Sequence, residues 1–152
     1  MTLGRRGDRL LRDKETLRLV AFRPTKDDRW TIGWGHTSGV KEGMTCTPEQ
    51  AEQWYREDIA IAAAPVQALV RNGIPLSQAM FDALVVMTYN EGEEFLGPAK
   101  VIGRALRRRD WFAAWRGMSL YTKQGQIDLR GLAIRRAEEM ALFMADPLPP
   151  GI

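Results

Sequence analysis

The run Trp30-Thr31-Ile32-Gly33-Trp34-Gly35-His36-Thr37 begins fifteen residues after Glu15 and constrains this chain more than any other segment. It reads as a strand that ends in a tight, glycine-rich turn, gathering a hydroxyl, an imidazole and close-approach backbone at one spot. Helix-type residues around Glu15 precede it, with a short extended run between. A helix-borne carboxylate facing a small hairpin builds a cleft with an acid on its floor. Cleavage of a glycosidic bond needs such parts: a proton donor, and a second group that manages water or positive charge.

A chain of 152 residues is long enough for one compact domain, or for two small lobes that share a helix. With 45% hydrophobic and 27% charged residues it falls outside the disordered and collagen-like classes. The net charge of +3 and a pI near 9.3 suit a polyanionic partner such as cell-wall polymer, nucleic acid or an anionic membrane, without choosing among them. Cys46 is the single cysteine, so no internal disulfide exists, and it reads as a small buried thiol. One cysteine and one histidine leave zinc sites and Cys-His nucleophile pairs little to work with. Met1 to Asp8 carries Arg5 and Arg6 with no apolar stretch behind them, which argues against a signal peptide. The longest apolar stretch, Ile59 to Val70, is interrupted by Pro65 and Gln67 and is too short for a bilayer. The expectation is a soluble chain made in the cytoplasm.

The elements follow from punctuation and periodicity. Asp8 is a candidate cap for a first helix ending near Glu15. Leu17 to Phe22 is extended, Arg23 to Asp28 is a turn, and Arg29 to Trp34 returns as the second strand of a hairpin, with a third short strand near Gly39 to Lys41. Thr47-Pro48-Glu49-Gln50 is a capping box with proline at the first helical position, opening a helix to about Val70 that Pro65 should kink or split. Ser77 caps a second strong helix, where Phe81, Leu84, Val85, Thr88 and Tyr89 keep helical spacing until Gly92. Further helices are expected over 98–109, 111–116 and 129–144, and the proline-rich tail 146–152 is irregular. The fold class is α+β, mainly α: a small β-containing lobe (about 16–46), a connecting helix (about 47–72), and a larger helical lobe (about 73–146) that includes the N-terminal helix 8–15. A cleft between such lobes is where ligands tend to bind.

Glu15-Thr16-Leu17-Arg18-Leu19-Val20-Ala21-Phe22 followed by Trp30-Thr31-Ile32-Gly33-Trp34-Gly35-His36-Thr37 resembles the signature of the phage-type lysozymes, the endolysins of glycoside hydrolase family 24. Phe81-Asp82-Ala83-Leu84 with Tyr89-Asn90-Glu91-Gly92 is similar to that family's central helix and its end, and Gly131-Leu132-Ala133-Ile134-Arg135-Arg136 to its C-terminal segment. These segments stand in the family's order and span roughly Gly7 to Phe143.

The resemblance implies that Glu15 is the general acid, where the residues alone allow a surface carboxylate paired with Arg18. Thr31 matches the threonine that helps hold the attacking water. The second carboxylate departs from the pattern. Many relatives carry an aspartate nine residues after the glutamate; here Pro24 stands there, the turn is one residue longer, and Asp28 or Asp27 lies in it. Either aspartate could serve as base, or neither, since aspartates favour turns in any case. Thr16 replaces the usual glycine after the acid. His36 reads as a structural imidazole bound to a nearby carboxylate. Arg135 aligns with an arginine that approaches the acid, or is simply an exposed helical residue. Tyr89 and Tyr121 are candidate sugar contacts. Arg104, Arg107 and Arg108 share a helical face with Arg109 beside it, and read as a solvated face rather than a nucleic-acid site.

The implied function is hydrolysis, with inversion, of the β-1,4 bond between N-acetylmuramic acid and N-acetylglucosamine in peptidoglycan during phage lysis. No metal or organic cofactor is implied, no nucleic acid and no stable membrane anchor. The chain is expected as a monomer that stays in the host cytoplasm until a holin releases it to the wall. The rivals are a non-catalytic peptidoglycan-binding domain, a lytic transglycosylase, and a small nucleic-acid-binding protein.

Overall fold

A computed structural model of the protein describes residues 1–124, 127–128 and 130–151. Leu129, expected to open the last helix, and Ile152, the end of the tail, lie outside them. The architecture is α+β and mainly helical, and it divides into two units: Arg9–Ile61, and Met1–Asp8 with Ala62–Ile152.

Within residues 9–61, α1 (Arg5–Glu15) leads into β1 (Arg18–Phe22), which pairs antiparallel with β2 (Thr31–Gly33). Arg18 faces Gly33 and Phe22 faces Thr31, so five residues oppose three and the pairing carries a bulge. The strand then turns back on itself: the Ile32 and His36 backbones exchange two hydrogen bonds of 2.9 Å, around Gly33 at φ +66° and Gly35 at φ +89°. The expected third strand at 39–41 does not form. Gly39 and Gly43, both at positive φ, fold that stretch into turns. The strand-like contact comes later, where Ala21 N–H donates to the Met44 carbonyl (2.8 Å) and Cys46 N–H to that of Leu19 (2.9 Å). Cys46 is half-buried rather than buried, and what burial it has pushes its thiol pKa up.

The start of α2 (Pro48–Arg71) has its capping box: Thr47 N–H donates to Gln50 Oε1 (2.9 Å) and Gln50 N–H to Thr47 Oγ1 (3.1 Å). Pro65 lies inside the helix without splitting it. Among the described residues no helix is long and apolar enough to cross a membrane.

The second unit is built on α3 (Gln78–Glu91), in which every residue from Ala79 to Thr88 is buried. A helix apolar nearly all round has to be surrounded by protein. Ser77 Oγ accepts from Met80 N–H (3.1 Å) at its start, and Gly92, at φ +82°, ends it. The first helix begins at Arg5, three residues before the expected cap, because tertiary contact replaces that cap. Gly4 N–H donates to Asp82 Oδ1 on α3 (2.8 Å), and Asp8 then sits inside the helix, bonded to the Gly4 carbonyl. After a 3-10 turn (Glu94–Leu96), α4 (Val101–Arg107) packs on α5 (Trp111–Met118). α4 is shorter than the expected 98–109 because Gly97 to Lys100 form a turn, and Arg109 reverses to φ +56°. A short β3–β4 pair, Lys123–Gln124 with Ile127–Asp128, had no counterpart in the expectations. α6 (Arg130–Phe143) packs on α3. The tail is held in place: Asp146 pairs with Arg6 (2.7 Å) and accepts from Ala79 N–H (2.9 Å), and Trp111 Nε1 donates to the Pro149 carbonyl (2.7 Å).

The arginine run is largely occupied with backbone carbonyls. Arg107 donates to Leu96 and Gly103, and Arg104 to Ala99.

Arg136 is buried where α6 meets α3. It donates to Asn90 Oδ1 (2.7 Å) and Glu91 Oε1 (3.1 Å), and pairs with Glu139 (2.8 Å). Burial pushes the Glu139 carboxyl up to about 7, although Arg136 and Arg135 pull the other way. Unfolded, this group titrates near 4.5. Between those values the folded chain holds the extra proton, so this carboxyl's contribution to stability falls as pH rises from about 4.5 to about 7. Glu139→Gln is expected to remove that loss. Urea unfolding at pH 5 and pH 7.5 should show a smaller drop for the variant than for wild type, and equal drops would sink the assignment.

Candidate active site

Glu15 is the last residue of α1. Its carboxyl lies against the hairpin turn, where a Cβ placed on Gly35 would stand 2.5 Å from Glu15 Oε2. Only glycine fits there, for want of space and because of the positive φ. The chain leaves the helix through Thr16 at φ +48°, with Thr16 N–H bonded to the Arg12 carbonyl (3.2 Å). A left-handed residue just past a helix is a familiar way to end it, usually with glycine.

Thr31 opens β2, and its hydroxyl donates to the Arg29 carbonyl (3.1 Å). Asp28 closes the preceding turn: its Oδ2 accepts from Thr25 N–H (3.0 Å) and Thr25 Oγ1 (2.8 Å), while Asp27 is exposed. His36 is buried, with Nδ1 2.8 Å from Asp58 Oδ2 and its ring stacked on Trp54 at 4.8 Å between centroids. Tyr89 lies half-buried near the end of α3, Tyr121 has its ring 5.9 Å from that of Phe95, and Arg135 is half-buried on α6. The arginine driven fully into the interior is its neighbour Arg136.

Residues 9–61 thus hold Glu15, Asp28, Thr31 and His36, whereas Tyr89, Tyr121 and Arg135 belong to the other unit. The expectations missed the groups that brace the hairpin. Arg12 makes a two-pronged bond to Glu52 (2.6 and 2.9 Å), with its guanidinium over Tyr55 (4.2 Å) and Trp34 (5.0 Å). That hydrogen bond holds the Glu52 carboxyl below the usual range, with Arg56 and Trp34 adding to it and burial opposing. The signal lay in the spacing of Glu52, Tyr55 and Asp58, three residues apart along one side of a helix. Among the described residues no group of three or more His, Cys, Asp or Glu side chains could hold a metal ion.

The phage lysozyme family model matches residues 12–139. The chain belongs to the phage lysozyme family. It is 32% identical over 149 residues to an endolysin of Acyrthosiphon pisum secondary endosymbiont phage 1, covering 94% of this chain and 98% of the relative. It is 32% identical over 150 residues to the endolysin of Salmonella phage P22, covering 95% and 99%. Among solved structures, the muramidase domain of SpmX from Asticaccaulis excentricus superposes with a TM-score of 0.81 at 34% identity, over 95% of this chain and 99% of that one. This phage lysozyme is therefore a glycosidase of the endolysin type.

Thr16 is its local irregularity. A β-branched residue in the left-handed region costs about 1–2 kcal/mol, and glycine gives back part of that gain in unfolded-chain entropy. Thr16→Gly is expected to stabilise the protein by about 1 kcal/mol, raising the thermal midpoint by about 2–4 °C. An unchanged or lower midpoint in a calorimetric scan would contradict this.

Proposed function

We propose that this phage lysozyme hydrolyses the β-1,4 bond between N-acetylmuramic acid and N-acetylglucosamine in peptidoglycan, as an inverting enzyme of glycoside hydrolase family 24. In this reading Glu15 is the general acid, Asp28 the base, and Thr31 the holder of the attacking water. The observation that carries it is the seat of the Glu15 carboxyl against Gly35, a position that glycine alone keeps open.

The chemistry needs three placed groups. Glu15 delivers its proton to the glycosidic oxygen, and the C1–O bonding pair leaves with that oxygen. Water attacks C1 from the opposite face, and its proton passes to Asp28, giving a reducing sugar of inverted configuration. The Thr31 hydroxyl spends its own hydrogen on the Arg29 carbonyl, so toward a water it can only accept. That water would point one hydrogen at Thr31 and present the other to a carboxylate. Asp28 lies three residues before Thr31 and is held by two bonds from Thr25, which supports a fixed carboxylate more than the exposed Asp27 does. His36 supports the hairpin from α2 through Asp58. Tyr89, Tyr121 and Arg135 complete the proposed set as supporting residues. The enzyme acts as a monomer, kept in the host cytoplasm until a holin admits it to the wall.

The test is clearing of purified Gram-negative peptidoglycan, with mass and anomer analysis of the products. Wild type should release reducing sugars, and Glu15→Gln should lose about 10³-fold. Gly35→Ala should lose about 10²-fold while keeping its circular dichroism spectrum, because the new methyl group displaces the acid. Asp28→Asn should lose more than Asp27→Asn. Products one water lighter would mean a transglycosylase. Binding to the wall without release would mean a retired enzyme.

A further inference from the structure

We propose that Arg12 is a positioning residue for Glu15: it locks the last turn of α1 onto the hairpin so that the acid stays aimed. The inference rests on Glu15 being the general acid. Helix ends fray, and Glu15 is the final helical residue, followed by a strained Thr16. A carboxyl in that place needs an anchor within the same turn. Arg12 stands three residues earlier, on the same side of the helix.

The anchor acts from two directions. The guanidinium fork meets both oxygens of Glu52 on α2, a planar match that a lysine cannot make. Its face lies over Tyr55, also on α2, and over Trp34 of the hairpin turn. The Trp34 and Tyr55 rings are themselves 6.0 Å apart. Trp34 immediately precedes Gly35, the residue that receives the Glu15 carboxyl. One dipeptide of the turn therefore touches both Arg12 and Glu15, and a shift of Arg12 moves the seat relative to the acid. Glu52 also balances the charge of Arg12, so the anchor is held without leaving an uncompensated cation one turn from the acid.

The experiment compares wild type, Arg12→Lys, Arg12→Met, Glu52→Gln and Glu15→Gln on soluble peptidoglycan strands, reading kcat and KM separately below each variant's thermal midpoint. Arg12→Lys keeps the charge and loses the fork. It should lower kcat about ten- to a hundredfold with KM within about twofold, the mark of misplaced catalytic geometry. Glu52→Gln leaves Arg12 in place and should give a smaller loss of the same kind, which keeps the test decisive if Arg12→Met does not fold. Folded Arg12→Lys with kcat within about twofold of wild type overturns the proposal. So does a rise in KM alone, which would make Arg12 a substrate contact, and so does wild-type kcat in Glu52→Gln. Full activity in Glu15→Gln would instead overturn the assignment of the acid, and that failure is read from a different variant.

Discussion

A hairpin whose strands have five and three residues buries too little to hold itself in water. Everything in residues 9–61 answers that constraint. α2 lies against the hairpin and supplies a series of partners along its length. Ala51 lies beneath Gly33, Glu52 and Tyr55 hold Arg12, Trp54 stacks on His36, and Asp58 takes the imidazole Nδ1. The hairpin thus borrows rigidity from a long capped helix. Rigid elements place a catalytic group more accurately than loops do. Gly33 lets the hairpin pack on Ala51 of α2, and Gly35 lets its turn approach Glu15 at the end of α1.

The other unit solves a different problem. α3 is buried from Ala79 to Thr88, yet it carries Asp82 within that stretch and ends in the exposed Asn90 and half-buried Glu91. Buried polar groups are tolerable when they are bonded. Asp82 takes the backbone N–H of Gly4 and the amide of Gln78, which secures the N-terminal segment. Asn90 and Glu91 take the guanidinium of Arg136 and so tie α6 to the C-terminal end of α3. Asp82, Asn90 and Glu91 are thus each matched to a piece of chain distant in sequence, while Thr88 bonds the Leu84 carbonyl of its own helix. Removing one partner would leave the other stranded at a cost, which makes these contacts specific as well as adhesive.

How much of this was legible can be judged residue by residue. The capping box at Thr47 and the Ser77 cap are local chemistry, written within four residues, and both formed. The hairpin was legible because its glycines and β-formers are contiguous. The start of α1 was not, since a long-range bond from Gly4 to Asp82 overrides the local cap signal at Asp8. Nor was the burial of Arg136, which depends on which face of α6 meets α3. The arginine run was legible as a solvated face, since Arg104, Arg107 and Arg108 are exposed; that Arg107 also reaches two carbonyls needed the fold. For the site, the resemblance supplied the candidate acid and threonine. The brace of Arg12, Glu52, Trp54 and Asp58 needed the fold, because it joins an α1 side chain and a hairpin to one side of α2.

The position of Glu15 at the very end of α1 also bears on how it is held. A helix terminus brings fraying, so a side chain placed there needs an anchor in the same turn. Arg12, paired with Glu52 and set over the Trp34 and Tyr55 rings, ties that last turn to α2 and to the hairpin. The same logic explains why a strained Thr16 is tolerable: the turn it closes is held one helical turn earlier, so the strain does not have to be relieved by unwinding the residue that matters.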